Sequence, residues 1–427
     1  MDNIKDTVKS IPLPEGLHKR AKMGVAQVKK NRKNRWIYPA AASVFLASSI
    51  SVGATMNEGI NNLVSIVSPE LAILLQPINR IAEDEGVKME VIAAMQDEDM
   101  AVIYVTMQGI DGNPIDETLD VYDFSISKGR SFTNQTVHYD KETNTATVRF
   151  LSFGGDSANK LKLNIRTLLT NKEIFEDVAI PVDLTEIPQQ QVVELPEDTI
   201  RGAGGPGGGI DTPNMVLAAG NLNIQTPYYD KMKITNVGIQ DDRLYIQTEW
   251  TANDAIDHAQ FFLVNAKGEK IKSTKGISYG RDETGAPVYN YNYEEIIFDV
   301  KDLNLADYQL QSKIYSYGDQ VNGKWEATFK LNEMKGRSIP FTEDFAGWKA
   351  EKVIVSPLGL TILGKGAPNK LEDMTTTISM DDGTLIEMTS VVSHSENNHV
   401  KMKWTADKPL ETEHIKVIYI NGIEVNL

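Results

Sequence analysis

Between Lys29 and Arg35 five of seven residues are basic, and the next 21 residues, Trp36 to Met56, carry no charge at all. No other feature limits the chain so strongly. As a helix those 21 residues rise about 31 Å, close to the hydrocarbon thickness of a bilayer. Trp36 and Tyr38 stand at one end, where interfacial aromatics sit, and Pro39 falls in the first turn, where a missing N–H costs least. The basic cluster immediately before the stretch predicts that residues 1–35 stay in the cytoplasm and the carboxyl-terminal bulk lies outside. Two rival readings exist. Val52-Gly53-Ala54 has the small-residue form of a signal-peptide cleavage site, and a moderately apolar helix can be buried in a soluble protein. The 35 residues ahead of the stretch are long for a signal peptide, so an uncleaved anchor is the expectation.

Charge divides at the same place. Residues 1–35 hold ten Lys/Arg and three Asp/Glu, a net of +7, so the remainder must sum to −23 against a whole-chain charge of −16. An acidic body is repelled by DNA and by anionic lipid, which excludes a nucleic-acid binder. The absence of cysteine excludes disulfide frameworks, thiolate metal sites and cysteine nucleophiles.

Beyond the anchor, residues 57–85 read as a juxtamembrane helical segment. Ile60, Leu63, Val64 and Val67 recur at helical spacing, Ser68-Pro69-Glu70 offers a helix start, and Leu71, Leu74, Leu75, Ile78 and Ile81 form an apolar face. From Val87 the period changes to two. "VKMEVIAAMQDEDMAVIYVTMQG" reads as strand, acidic turn, strand, and the pattern returns in "MKITNVGIQDDRLYIQTEWT" with its turn at Asp241-Asp242. Each copy ends in what reads as a late strand pair, "LKLNIRTLLTNKEIFEDVAIPVDL" and "YQLQSKIYSYGDQVNGKWEATFKL". The fold class expected is mainly β: tandem immunoglobulin-like β-sandwich ectodomains after a single N-terminal transmembrane helix. The divisions are 1–35 basic tail, 36–56 span, 57–85 helical segment, 86–190 first sandwich, 191–225 Gly-rich linker, 226–334 second sandwich and 345–427 a C-terminal β domain. "RGAGGPGGGI" reads as a flexible tether, because no Lys-Ser or Lys-Thr follows it as a phosphate loop requires.

Catalytic signals are weak. The six histidines show no helical zinc spacing, and no G-x-S-x-G elbow is present. The acids Asp97, Glu98 and Asp99, with Asp111, Asn113 and Asp116, miss the spacing of a calcium loop and read as solvated turns. The expectation is a non-enzyme without cofactor or metal. Two binding elements stand out. Tyr289, Tyr291 and Tyr293 alternate, so a strand places all three on one face, either as a stripe for a wall polymer or protein ligand or as sandwich core. In the tail, Leu17, Ala21, Val25 and Val28 fall on one stripe of a helix otherwise covered by Lys and Arg, able to lie on the membrane or to dock on a partner.

"IPLPEGLHKRAKMGVAQVKKNRK" leading into one span, then "EDEGVKMEVIAAMQDEDMAVIYVTMQG" and "DGNPIDETLD", resembles Firmicute single-pass membrane proteins of the domain of unknown function 4179 family. Such proteins are frequently encoded beside extracytoplasmic-function sigma factors. The resemblance implies an anti-sigma factor whose cytoplasmic tail holds the sigma factor while the ectodomain senses the envelope. The alternative is a non-signalling structural or adhesive envelope protein that works through its ectodomain surface.

Overall fold

The computed structural model describes residues 74–427, except 111, 113–114, 128, 154–159, 205–212, 252–255, 346, 367–373, 389, 406–408 and 426–427, and the side chains of 291 and 396. The expected tail and span, 1–56, therefore lie outside the described residues. Those described form antiparallel β-sheets joined by tight turns and three short 3-10 turns, with no α-helical element. A mainly β, sandwich-rich fold is what the period-two patterning demands.

The first sheet runs Gln76–Asp84, Val87–Gln96, Met100–Gly109, Thr145–Phe153, Ser131–Asp140 in spatial order. Its first member corrects the helical reading of 57–85 over Gln76–Asp84; residues 57–73 lie outside the described residues. Pro77 supplies no N–H to a helix, Ile78 and Ala82 pack toward the first core, and Ile81 is 55% exposed. An irregularity at Asn79 (φ 51°) breaks an otherwise alternating strand, so spacings that mimic a helical face arise from a bulge. The strand joins its neighbour through Glu85-Gly86, both at positive φ, and Asp241-Asp242, also both at positive φ, makes a two-residue hairpin turn between Met232–Gln240 and Arg243–Trp250.

Two strands organise the rest. Leu161–Ala179 and Tyr308–Phe329 are each continuous and pair antiparallel from Gln311↔Ala179 to Phe329↔Leu161. At 22 residues the longer spans roughly 70 Å, enough to serve two sandwiches. Both stretches read as strand pairs in the sequence, and Asn171-Lys172 and Gly318-Asp319 are the residues within them that favour a turn. In the fold these signals lie nearly opposite one another (Tyr317↔Lys172, Asp319↔Thr170), so Asn171 at φ 54° is taken up as a local irregularity instead of reversing the chain. A Cβ on Gly318 would stand 2.4 Å from the Asn171 amide nitrogen, which is why that position is glycine.

Either side of this crossing lies a separate core. Trp325, Ala327 and Phe329 pack with Val87, Ile103, Phe150 and Leu163 in the first, whereas Leu310 and Ile314 pack with Met232, Ile246, Phe261 and Phe298 in the second. The Trp325 indole N–H donates to the Val87 carbonyl at 2.9 Å, so this large buried ring leaves no polar atom unmet. A division by chain order, 86–190 and 226–334, thus assigns to the second sandwich a segment that completes the first. The second sandwich's other sheet orders Ile224–Gln225, Met232–Gln240, Arg243–Trp250, Pro287–Asp299, Lys275–Arg281, Ile200–Gly204. Ile200–Gly204 pairs with Lys275–Arg281 along an edge, so the start of the glycine-rich run is a strand where a free tether was expected.

The third sandwich begins at Arg337, stacks a five-stranded sheet on a four-stranded one, and has its own core around Trp348, Val353, Ile362, Met402, Trp404 and Ile418.

Candidate functional site

The acidic turn at Asp97-Glu98-Asp99 is not solvated: Asp97 and Asp99 are 3% and 6% exposed. One Asp97 oxygen accepts the backbone N–H groups of Asp99 and Met100 at 2.9 and 2.8 Å, and the other accepts the Ser356 hydroxyl and the Lys403 ammonium. Asp99 accepts the Thr361 hydroxyl at 2.7 Å and the Lys401 ammonium at 2.5 Å. Apolar contacts surround the cluster, with Ile92, Met95, Met100, Val102 and Tyr104 meeting Leu358. The turn is therefore a clamp between the first and third sandwiches. Its oxygens are consumed by protein donors and are not free for calcium. Asp116 is engaged too, bonding Thr118 and the Asn171 N–H; Asp111 and Asn113 lie outside the described residues. Among the described residues no group of three or more His, Cys, Asp or Glu is placed to hold a metal ion.

The expected tyrosine stripe is not brought together. Tyr279↔Tyr293 and Gly280↔Val288 are successive pairs, so residues 289–292 bulge out of the ladder and lose strict alternation. Tyr289 is 58% exposed and stacks under the Arg201 guanidinium at 4.8 Å. Tyr293 instead packs inward, 5.9 Å from the Tyr279 ring and 5.7 Å from Arg281. The Tyr291 side chain, like Leu17, Ala21, Val25 and Val28, lies outside the described residues.

Behind Tyr293 is a buried polar core that sequence reading missed. Glu295 is fully buried, directly opposite Gln247 across the sheet. It accepts the Leu217 N–H at 3.2 Å, the Tyr279 hydroxyl at 3.2 Å and the Gln247 amide at 3.4 Å. Arg281 donates to the Leu217 carbonyl, the Tyr279 hydroxyl and the Gly285 carbonyl. Burial pushes the Glu295 carboxyl up to about 8, against smaller lowering effects from those donors and from Arg281. Burial likewise raises the Tyr279 phenol, with the Glu295 charge adding to it. A protonated glutamate inside a β-sheet is a structural acid at neutral pH. A cleft of about 470 Å³ between 182–190 and 218–224 is lined in part by Asn236 and Gln190, which bond one another.

A second cluster lies around Asp257. Its carboxylate accepts the Tyr229 hydroxyl at 2.7 Å, Lys231 at 2.8 Å, the Ser316 hydroxyl at 3.2 Å and the Tyr317 N–H at 2.9 Å. Burial alone would raise this carboxyl, but the Lys231 and Tyr229 donors outweigh it and hold it below its usual range. Next door, the His258 ring stacks on Tyr315 at 4.7 Å. The only sequence signal for this cluster is the alternation "KIYSY", which identifies a strand but not its neighbours.

No family model matches the chain, and no curated protein matches it. Among solved structures it is similar to the conserved domain protein from Bacillus anthracis, at 10% identity over 82% of this chain and 77% of that one, with a TM-score of 0.34. It is also similar to an I-band fragment from titin, at 8% identity over 78% of this chain and 89% of that one, with a TM-score of 0.11. Likenesses at these scores carry no functional argument.

Proposed function

We propose that the protein is a single-pass envelope protein, its immunoglobulin-like sandwiches outside the membrane and its basic tail in the cytoplasm, acting as an anti-sigma factor. The tail docks on an extracytoplasmic-function sigma factor through Leu17, Ala21, Val25 and Val28. One observation carries the reading: an uncharged 21-residue run separates a +7 tail from a −23 body, a partition that suits a bitopic protein. No helix among the described residues is long and apolar enough to cross a membrane, and the run at 36–56 lies outside them. The fusion of the first two sandwiches through shared strands, and the clamp at Asp97 and Asp99, suit a body that responds to its surroundings as one unit.

The test is co-purification of the full-length protein with the sigma factor encoded beside it. Capture that is lost in Leu17→Asp and Val25→Asp supports the proposal. Absence of capture, or capture indifferent to both changes, refutes it. A second reading, a non-signalling binding protein, draws on the exposed aromatic and cationic side chains of the second sandwich; under it, replacing the tail by another basic anchor leaves function intact.

A further inference from the structure

Lysine is rarely buried, yet Lys403 is 4% exposed. In His399–Thr405 the alternate residues Val400, Met402 and Trp404 fill the core of the third sandwich. Lys401 and Lys403 therefore project from the other face of the strand, onto the Asp97-Glu98-Asp99 turn of the first sandwich. The two ion pairs formed there differ. Lys401, which meets Asp99, keeps 35% of its side chain in solvent. Lys403 and Asp97 have side chains only 5% and 2% exposed.

Around this buried pair the polar contacts have the layout that amide formation needs. Asp97 Oδ1 accepts the Asp99 and Met100 N–H groups at 2.9 and 2.8 Å. Two backbone donors so placed stabilise the negative charge that develops on a carboxyl oxygen when its carbon becomes tetrahedral. Lys403 Nζ lies against the other oxygen, Oδ2. Ser356 Oγ touches both reactants: it accepts from Lys403 Nζ at 3.4 Å and donates to Asp97 Oδ2. The Leu358 N–H, at 3.2 Å, holds that hydroxyl in place. A proton leaving the nitrogen thus has a path, through one hydroxyl, to the oxygen that would depart.

We propose that Lys403 and Asp97 condense to a side-chain amide that joins the third sandwich covalently to the first. The ammonium passes one proton to Oδ2, leaving an amine beside a carboxylic acid. The nitrogen lone pair then forms the N–C bond to Asp97 Cγ, and the displaced electron pair moves to Oδ1, against the two N–H groups. A second proton moves from nitrogen through Ser356 to Oδ2. The C–Oδ2 bond breaks as the Oδ1 pair restores the carbonyl, and Oδ2 leaves as water. One N–C bond replaces one C–O bond, with no oxidant or reductant. In bulk water hydration keeps such a pair ionic; burial removes that hydration, and a neutral amide escapes the penalty borne by two buried charges. Fixing both groups in one site also removes the entropic cost of bringing them together. The Asp99–Lys401 pair stays ionic because solvent reaches Lys401. Since the buried pair must give up its charges before nitrogen can attack, closure is slow compared with folding. Newly purified protein holds the ion pair, and stored protein increasingly the amide.

The experiment is the intact mass and tryptic peptide map of the full-length protein in detergent, taken at purification and after several days at neutral pH. The expected result is a species lighter by one water that grows with time. Its digest should contain a branched peptide joining the Asp97 side chain to Lys403, uncut by trypsin at that lysine. Lys403→Arg keeps a cation for Asp97 but offers no nucleophilic amine, so it should yield neither the lighter species nor the branched peptide. Lys401→Arg should yield both. Ser356→Ala should slow closure by roughly a hundredfold, the lower end for a positioned proton-transfer group. Stored wild-type protein without the branched peptide overturns the bond, as does a water loss undiminished in Lys403→Arg. Closure of Ser356→Ala at the wild-type rate overturns the proton route.

Discussion

Replacing Glu295 by glutamine gives the sharpest test of the buried core. The wild-type carboxyl is fully buried and titrates near 8 in the folded protein, against an ordinary value of 4.5. The folded state therefore keeps a proton that the unfolded chain releases, and it binds more protons throughout that interval. The contribution of Glu295 to stability is greatest below pH 4.5, declines as pH rises toward 8, and levels off once both states are ionised. Each pH unit across the interval is worth about 1.4 kcal/mol, so the full decline is on the order of 5 kcal/mol and the portion from pH 5 to 7 about 3 kcal/mol. Glutamine keeps the shape and an oxygen for the Leu217 N–H, but cannot ionise. Urea unfolding of the two proteins at pH 5, 7 and 8.5, followed by tryptophan fluorescence, should show similar stabilities at pH 5 and a variant more stable by several kcal/mol at pH 8.5. Parallel pH profiles would refute the reasoning, since they require a Glu295 that is either solvated or titrating alike in both states.

Three further outcomes follow from the packing. Lys403→Met strands the buried Asp97 carboxylate and should cost about 3–5 kcal/mol in denaturant unfolding, with much of the loss recovered in the double variant Asp97→Asn, Lys403→Met; equal losses in single and double variants would count against the clamp. Trp325→Ala should destabilise the first sandwich by about 3–5 kcal/mol, seen as faster amide exchange in Val87–Gln96, although residue 325 follows the second sandwich's strands in the chain. Gly359→Ala should disrupt the third sandwich, because its Cβ would lie 2.0 Å from the Trp404 carbonyl oxygen at φ 132°; an unaltered melting temperature would contradict that packing.

Local signals in this chain were legible wherever neighbours in sequence settle the matter. Period-two alternation identified Val87–Gln96, Met100–Gly109 and Met232–Gln240 as strands, and Asp241-Asp242 as a hairpin turn, because a pleated strand exposes alternate side chains and a two-residue reversal needs residues that tolerate positive φ. The same logic failed at Asn171 and Gly318. A turn signal reports only that the chain can reverse; whether it does depends on what lies across the sheet, and here each irregularity lies close to the other. It failed again at Asp97 and Asp99, since an acidic triplet looks solvated until Lys401 and Lys403, some 300 positions later, are brought against it. The tyrosine alternation at 289–293 was visible, but the bulge that splits it follows from a strand pairing that no local pattern encodes.

Charge partition, the 21-residue uncharged run and the strand-forming periodicity are properties of the sequence alone, because each is read along contiguous stretches of chain without reference to what packs against them. Which strand completes which sandwich, which acids are buried, and which tyrosines of the second sandwich face solvent were decided only by tertiary structure. Those outcomes depend on contacts between residues far apart in the chain, and their free energies exist only once the sheets have paired.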